Sequence, residues 1–447
     1  METRQIPVAR GLPLLGVALK FGPLWAREAR ARHGDVFAFQ LPGGNGGVMV
    51  CHPDDVRTAL VEKEGVTRPA FKSEPDNLLA KVTGDGLFAL GGQPWVERRA
   101  MMQPSFRRQR LAALVPLMLG EIDQAIDSLD RRFVREGRAF DVQPEMNSLA
   151  LNVLIRSLFS DSMNSRDFKA TCEAVELTMQ SISFDPFKLG KRGMYERASR
   201  SFDEVGNRLI VERRRLAPAE RPADLLTAML EMRDPQGREL QDSSIKFELT
   251  GFLIAGKETS AITLSWLLAL LPQMPEVERR LVEEIDSVVG GAAPTADHLP
   301  KLEYTRMVLQ ETLRRHAPVW ILVPRRATED VVLGGHAVRE GTQIWVSPFV
   351  THHHPEIWER ADEFLPERFA DEGNEASERH RYAYLPFGSG PRVCLGNRFA
   401  MMELQLTVAR LLQRYRVRWA GSGPWKHKVI FNTYLPKEVP IQLIPRA

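Results

Sequence analysis

Cysteine is scarce in this 447-residue chain, with Cys51, Cys172 and Cys394 the only three. A set that small and odd cannot build a disulfide framework, and its spacings match no zinc pattern. A reducing cytosol is the natural setting. Apolar runs are short as well. Thr259–Pro275 reaches only 17 residues and contains Pro272, below the roughly 20 that a spanning helix needs. The N-terminal apolar stretch Gly11–Leu19 is shorter and has no convincing cleavage site. Charge of one sign is lacking too: 60 Lys and Arg face 57 Asp and Glu, a net of +3 that argues for no nucleic acid. Aromatics make up only 8% of the chain, and 43% hydrophobic with 26% charged residues is ordinary for a globular protein. The core can be large enough to enclose a cofactor and a pocket.

What is present is concentrated in Phe387–Gly396, FGSGPRVCLG. One cysteine sits in a glycine-rich loop that leads into a helix, because Ala400, Leu404, Val408 and Leu411 recur at helical spacing through RFAMMELQLTVARLLQRY. Cys394 therefore stands at the positive end of a helix dipole, which favours a thiolate. Gly388 and Gly390 lack a Cβ and let the backbone lie against a flat ligand. Arg392 offers a guanidinium to an acid group. A lone cysteine is commonly a small buried hydrophobe; a thiolate beside a cation and a close backbone suits haem iron held by sulfur.

The stretch resembles the FxxGxRxCxG signature of the cytochrome P-450 haem-thiolate monooxygenases at Phe387, Gly390, Arg392, Cys394 and Gly396. Further signatures stand in family order: WVERR at 95–99, AGKETS at 255–260, ETLR at 311–314 and PERF at 366–369. The resemblance runs from GLPLLG at 11–16 to the C-terminus. Length alone suggests about three domains. The resemblance implies instead one interlocked domain over 1–447, mainly α with small β-sheets, its haem between a central distal helix and the helix after the cysteine loop. Only ten residues precede GLPLLG, so the chain resembles the soluble bacterial members, which lack an anchor helix, and is expected in the cytoplasm as a monomer without a fused reductase.

Along the chain, Val36–Leu41 and Val48–Cys51 read as strands joined by PGGNGG. A strand follows that glycine cluster, so it fails as a phosphate loop. Residues 93–317 read as mostly helical, with Val277, Leu281, Ile285 and Val288 on one face of a helix stopped by Gly290–Gly291. Strand character returns at 331–347 and again at 428–444. The run His352–His354 cannot converge on one ion from a regular element and reads as a surface turn.

Segment 249–268, LTGFLIAGKETSAITLSWLL, is apolar on several sides and reads as a buried central helix. Small Ala255 and Gly256 leave room beside it, and Glu258 and Thr259 follow. The resemblance lays this segment across the distal face of the haem and makes Glu258–Thr259 the pair that delivers protons for oxygen activation in a dry pocket. The bland reading of Thr259 is a hydroxyl bonded to its own preceding turn. Lys257 carries no inference. Trp95 and Arg99 share a helix face, and the resemblance assigns them, with Arg325 and Arg392, to the haem propionates. The spacing of the resembled family, five residues back from Asp330, selects Arg325 over Arg326. Glu311 and Arg314 also share a face, ordinarily a weak surface pair; the resemblance has them meet Arg368 in a buried network that fixes the cysteine loop.

The resemblance also implies an apolar substrate pocket drawing on Phe88, Ile182, Val319, Trp320, Ile321, Leu322, Phe431 and Leu435. Phe184 and Phe187 belong to the same group. The resulting expectation is a haem b (iron protoporphyrin IX) monooxygenase, a hydroxylase of lipophilic molecules such as fatty acids, terpenoids or polyketides. It uses O2 and electrons from a ferredoxin with its reductase or from a flavoprotein. A peroxide-using peroxygenase or isomerase and a non-catalytic haem sensor remain alternatives. Five arginines without an acid between 98 and 110 (Arg98, Arg99, Arg107, Arg108, Arg110) are either a solvated face or a docking patch for an acidic redox partner.

Overall fold

The computed structural model describes residues 4–11, 20–41, 46–61, 66–67, 83–161, 163–182, 191–234, 236–370, 379–430 and 432–446. Most of GLPLLG, the tip of the PGGNGG turn, Phe184, Phe187 and Phe431 lie outside the described residues, as does the side chain of Ile182. The architecture is mainly helical with small sheets. Its described residues group into two compact units.

The first unit takes Met1–Pro69, Met307–Cys394 and His427–Lys437. Its sheet orders Val8–Ala9, Val36–Gln40, Gly46–Val50, Gln343–Val346, Arg325–Ala327 and Val66–Thr67 side by side. Val36 pairs antiparallel with Val50, and Val48 pairs parallel with Ile344. Strand alternation sends Val36, Val48, Val50, Ala327, Ile344 and Val346 into one apolar cluster with Leu60 and Leu385. The 331–347 region forms the hairpin Val331–Leu333 with His336–Val338, turned at Gly334 and Gly335, where φ of +55° and +81° requires residues without a Cβ.

The run His352–His354 is not a surface turn. The helix Pro348–His352 packs inward, and the three rings are 0%, 5% and 0% exposed. A hydrogen bond for each ring is what makes such burial tolerable. His353 bonds Phe349 O, and His354 bonds Arg30 and Asp35. No group of His, Cys, Asp and Glu suited to a metal ion occurs among the described residues.

The second unit takes Ala70–Arg306, Leu395–Lys426 and Glu438–Ala447. Its spine is the helix Asp242–Leu270, free of proline until Pro272 ends it and led by an acid that suits the helix dipole. Together with its 3-10 end to Gln273 this helix is long and apolar enough to cross a membrane by length and composition, yet its most apolar window is 72% buried inside the protein. Helix Val142–Phe159 packs against it. A Cβ on Gly256 would lie 2.9 Å from Leu154 Cδ2, so this glycine serves the close approach of two helices rather than room for a cofactor. In helix Pro275–Val288 the buried face is Glu278, Leu281, Val282 and Ile285, with Val277 and Val288 half-buried at its margins.

Candidate functional site

Cys394 closes its own loop, its N–H donating to Phe387 O at 2.8 Å. The thiol is exposed although Leu385 before it and Phe399 after it are buried. Helix Asn397–Arg414 begins three residues on, after Gly396. Gly388 and Gly390 take φ of +70° and +74°, which glycine alone adopts without strain. They differ in surroundings. A Cβ on Gly390 would come within 2.2 Å of Leu60 O, so Gly390 serves packing within the protein and not a flat ligand. At Gly388 the nearest atom would be Leu322 Cδ1 at 4.0 Å, and that side stays open. Phe387, Arg392 and Gly396 are half-buried. An uncovered thiol on a glycine-shaped loop is the donor chemistry that suits haem iron, so the residues present fit that group.

Behind the loop, Glu311 and Arg314 of helix Glu303–Arg315 are completely buried. Arg368 of the PERF turn, 3% exposed, donates through Nε to Glu311 Oε1 at 3.3 Å. The same oxygen accepts the Leu365 N–H at 2.9 Å. Arg314 donates to His352 O at 2.7 Å and to Glu363 O at 3.0 Å. His352 then reaches the cysteine loop. Its Nε2 accepts the Leu385 N–H at 2.7 Å, which leaves Nδ1 to donate to Arg314 O at 3.2 Å. Sequence reasoning missed this histidine, because the spacing of HHH carries no hint that its helix turns inward.

Strand alternation separates two neighbouring arginines. Arg325 is buried and donates to Val323 O at 3.1 Å, whereas Arg326 is exposed. Trp320 is fully enclosed against Phe21, ring centroids 5.1 Å apart, and its N–H donates to Asn432 O at 3.0 Å. Ile321 and Leu435 are buried likewise. Packing against the core accounts for the burial of these three. Val319 and Leu322 keep free surface.

In the second unit, Trp95 is buried on helix Gly92–Met102 and Arg99 lies half-buried one turn on. Arg98 faces inward to Glu248 at 2.8 Å, so it leaves the proposed docking patch; Arg107, Arg108 and Arg110 are exposed. On the spine helix, burial breaks at 255–259: Ala255 is exposed and Gly256 to Thr259 are half-buried. Thr259 Oγ1 donates to Ala255 O at 3.1 Å, the back-bond open to any helical threonine. Lys257, passed over in the sequence, bonds Glu176 Oε2 at 3.1 Å and ties the spine to helix Ser165–Ile182. Burial works to raise the Glu176 pKa, but the Lys257 ammonium and the Gln180 amide outweigh it and hold the carboxyl below its usual range.

Ser260 donates to Glu403 Oε2 at 2.6 Å, while Oε1 accepts no hydrogen bond among the described residues. Enclosure of this acid pushes its pKa up to about 8, so it is neutral at pH 7. No sequence signal pairs residues this far apart.

The sequence pattern of the family described as Cytochrome P450 matches residues 6–443. The chain is 33% identical to the cyclooctat-9-en-7-ol 5-monooxygenase of Streptomyces melanosporofaciens over 91% of its length and 88% of that enzyme. It is 29% identical to the pentalenene oxygenase of Streptomyces avermitilis over 98% of its length and 96% of that enzyme. The crystal structure of the cytochrome P450DA heme domain superposes with a TM-score of 0.87 at 26% identity, covering 100% of this chain and 98% of that one.

Proposed function

The chain belongs to the cytochrome P450 family and is a monooxygenase, and on that premise we propose that it hydroxylates a terpenoid-like, lipophilic substrate. Haem, of the b type in this reading, supplies the activation of O2 when bound. The single observation that carries the assignment of its ligand is the uncovered thiol of Cys394 on a loop otherwise locked into the protein. Trp95, Arg99, Arg325 and Arg392 hold the propionates, and Phe387, Gly388 and Gly396 shape the loop around the ligand. Ala255 faces the bound groups.

Thr259 positions a proton at Oγ1, and Glu258 exchanges protons with water. Glu311, Arg314 and Arg368 keep the loop fixed. Val319, Leu322 and Phe88 line the substrate side, with Ile182 and Phe431 assigned on resemblance alone. The terpenoid preference rests on the two Streptomyces relatives, whose names describe a cyclooctatenol and pentalenene as substrates. Electrons come from a ferredoxin or flavoprotein, and the protein works in the cytoplasm.

The test is spectral and catalytic. Cys394→Ser should lose the thiolate position of the reduced-CO Soret band; an unchanged band would refute the ligand assignment. Turnover of diterpene and sesquiterpene alcohols should require O2 with a reductase, and activity with peroxide alone would favour the peroxygenase alternative.

A further inference from the structure

The tight turn at 83–90 is clasped onto the spine helix by contacts that none of these roles uses. Glu248, 3% exposed, accepts the Leu87 N–H at 2.9 Å on each of its oxygens. Arg98 Nη1 donates to Glu248 Oε1 at 2.8 Å and to Asp85 O at 3.2 Å, and Nη2 donates to Ser244 Oγ at 3.2 Å. Two glycines make the approach possible. Gly84 has φ of +44°, and a Cβ there would lie 2.5 Å from the Phe247 ring. At Gly86 a Cβ would lie 2.8 Å from Thr83 O and 3.1 Å from Phe247 O. The turn is knotted by Gly86 N–H to Thr83 O at 2.7 Å, with Thr83 and Ala89 buried and Phe88 left half-buried.

Placement gives the clasp its meaning. Glu248 precedes Ala255 by seven residues, close to two full turns or about 10 Å, so both lie on one side of the helix, with Thr259 a turn further. The Thr83 methyl stands 4.0 Å from where a Cβ on Gly251 would be, which sets the turn along that same side. Burial raises the Glu248 pKa against the opposing pull of the Leu87 N–H and Arg98, so the partners do not fully offset desolvation. A buried ion pair of this kind is a poor stabiliser, and its best-attested use is to fix a position.

We propose that Glu248, with Arg98, is a positioning residue for substrate selection: it fixes the 83–90 turn so that Phe88 forms a rigid wall beside the face carrying Ala255 and Thr259. The inference rests on the monooxygenase reading of that face.

The probes are two azoles that share a ligating nitrogen and differ in bulk, 4-phenylimidazole and clotrimazole, titrated by the Soret shift of the full-length haem protein. In Glu248→Ala and in Phe88→Ala the ratio of the two dissociation constants should change by about fivefold or more, with the reduced-CO band unaltered. Hydrogen exchange at the Leu87 amide should accelerate in Glu248→Ala and not in Phe88→Ala. Glu248→Gln, which keeps an acceptor for one of its two donors, should fall between parent and Ala and serves if Glu248→Ala does not fold. A ratio within about twofold of the parent, or a Leu87 amide as protected as before, overturns the proposal. A parent protein with no reduced-CO band would bring down the monooxygenase reading itself and this inference with it.

Discussion

Arg314 donates from Nε and Nη2 to the two oxygens of Glu311, at 2.7 and 2.8 Å, across one helical turn and with both side chains fully buried. The fork matches a carboxylate as no ammonium can. Glu311→Ala would strand two buried guanidinium groups and should cost about 3–5 kcal/mol in urea unfolding. Arg314→Lys keeps the charge but loses the fork and the reach to Glu363 O, so it should also fail to retain thiolate-ligated haem. Normal stability and a normal reduced-CO band in Arg314→Lys would show that charge alone suffices.

The histidines next to this network set a pH dependence. Burial, reinforced by neighbouring positive charge, drives the pKa of His316 and His352 well below 6.5 and that of His353 to about 3. Between those values and about 6.5 the unfolded chain binds protons that the folded one refuses, so stability is lost as pH falls. Each ring contributes up to about 1.4 kcal/mol per pH unit in that window. The urea midpoint should therefore drop from pH 6.5 to pH 5. In His352→Gln, whose amide can take the Leu385 N–H, the drop should be shallower. An equal slope in both proteins would mean that His352 is charged when folded.

How much of this was legible in sequence depends on range. The cysteine loop, Glu311 with Arg314, and Trp95 with Arg99 lie within single turns or loops, where spacing alone sets who faces whom. The 36–50 hairpin was legible for the same reason. Inward burial of His352–His354 and of Arg98 was not, because both depend on partners far along the chain, such as Leu385 and Glu248. Glycine told only half its story: Gly390 is required by Leu60 O and Gly256 by Leu154, neighbours that no local pattern names.

Glu403 gives a slope of the opposite sign. Its folded pKa of about 8 exceeds the ordinary 4.5, so between these values the folded protein holds a proton that the unfolded chain releases. Its contribution is whole below the lower value and is lost as pH rises to the upper one. Glu403→Gln keeps a neutral partner for Ser260 without that titration. Stability of the variant relative to the parent should grow from pH 5 to pH 8, measured by urea midpoints; a constant difference would place the carboxyl charged in the fold.

Arg107, Arg108 and Arg110 remain exposed after Arg98 is withdrawn from the cluster. Such a patch attracts an acidic electron donor through long-range charge, which salt screens over about 8–10 Å. Reversing all three to Glu should slow reduction by an acidic ferredoxin by about tenfold or more at low salt and abolish its salt dependence, read by stopped flow. An unchanged rate would dismiss this face as the docking site.

Thr259 separates stability from chemistry. Among the described residues its hydroxyl bonds only its own preceding turn, at a half-buried site, so Thr259→Ala should change unfolding free energy by less than about 0.5 kcal/mol. Proton delivery, the role proposed for this hydroxyl, does not depend on that back-bond. The variant should bind haem, consume NADPH at a comparable rate and release most of the electrons as hydrogen peroxide rather than product. Thr259→Ser, which restores the hydroxyl without the methyl, should recover most of the coupling. Product formed per NADPH and peroxide released, measured side by side, decide the matter: full coupling in Thr259→Ala would show that the proton is held elsewhere.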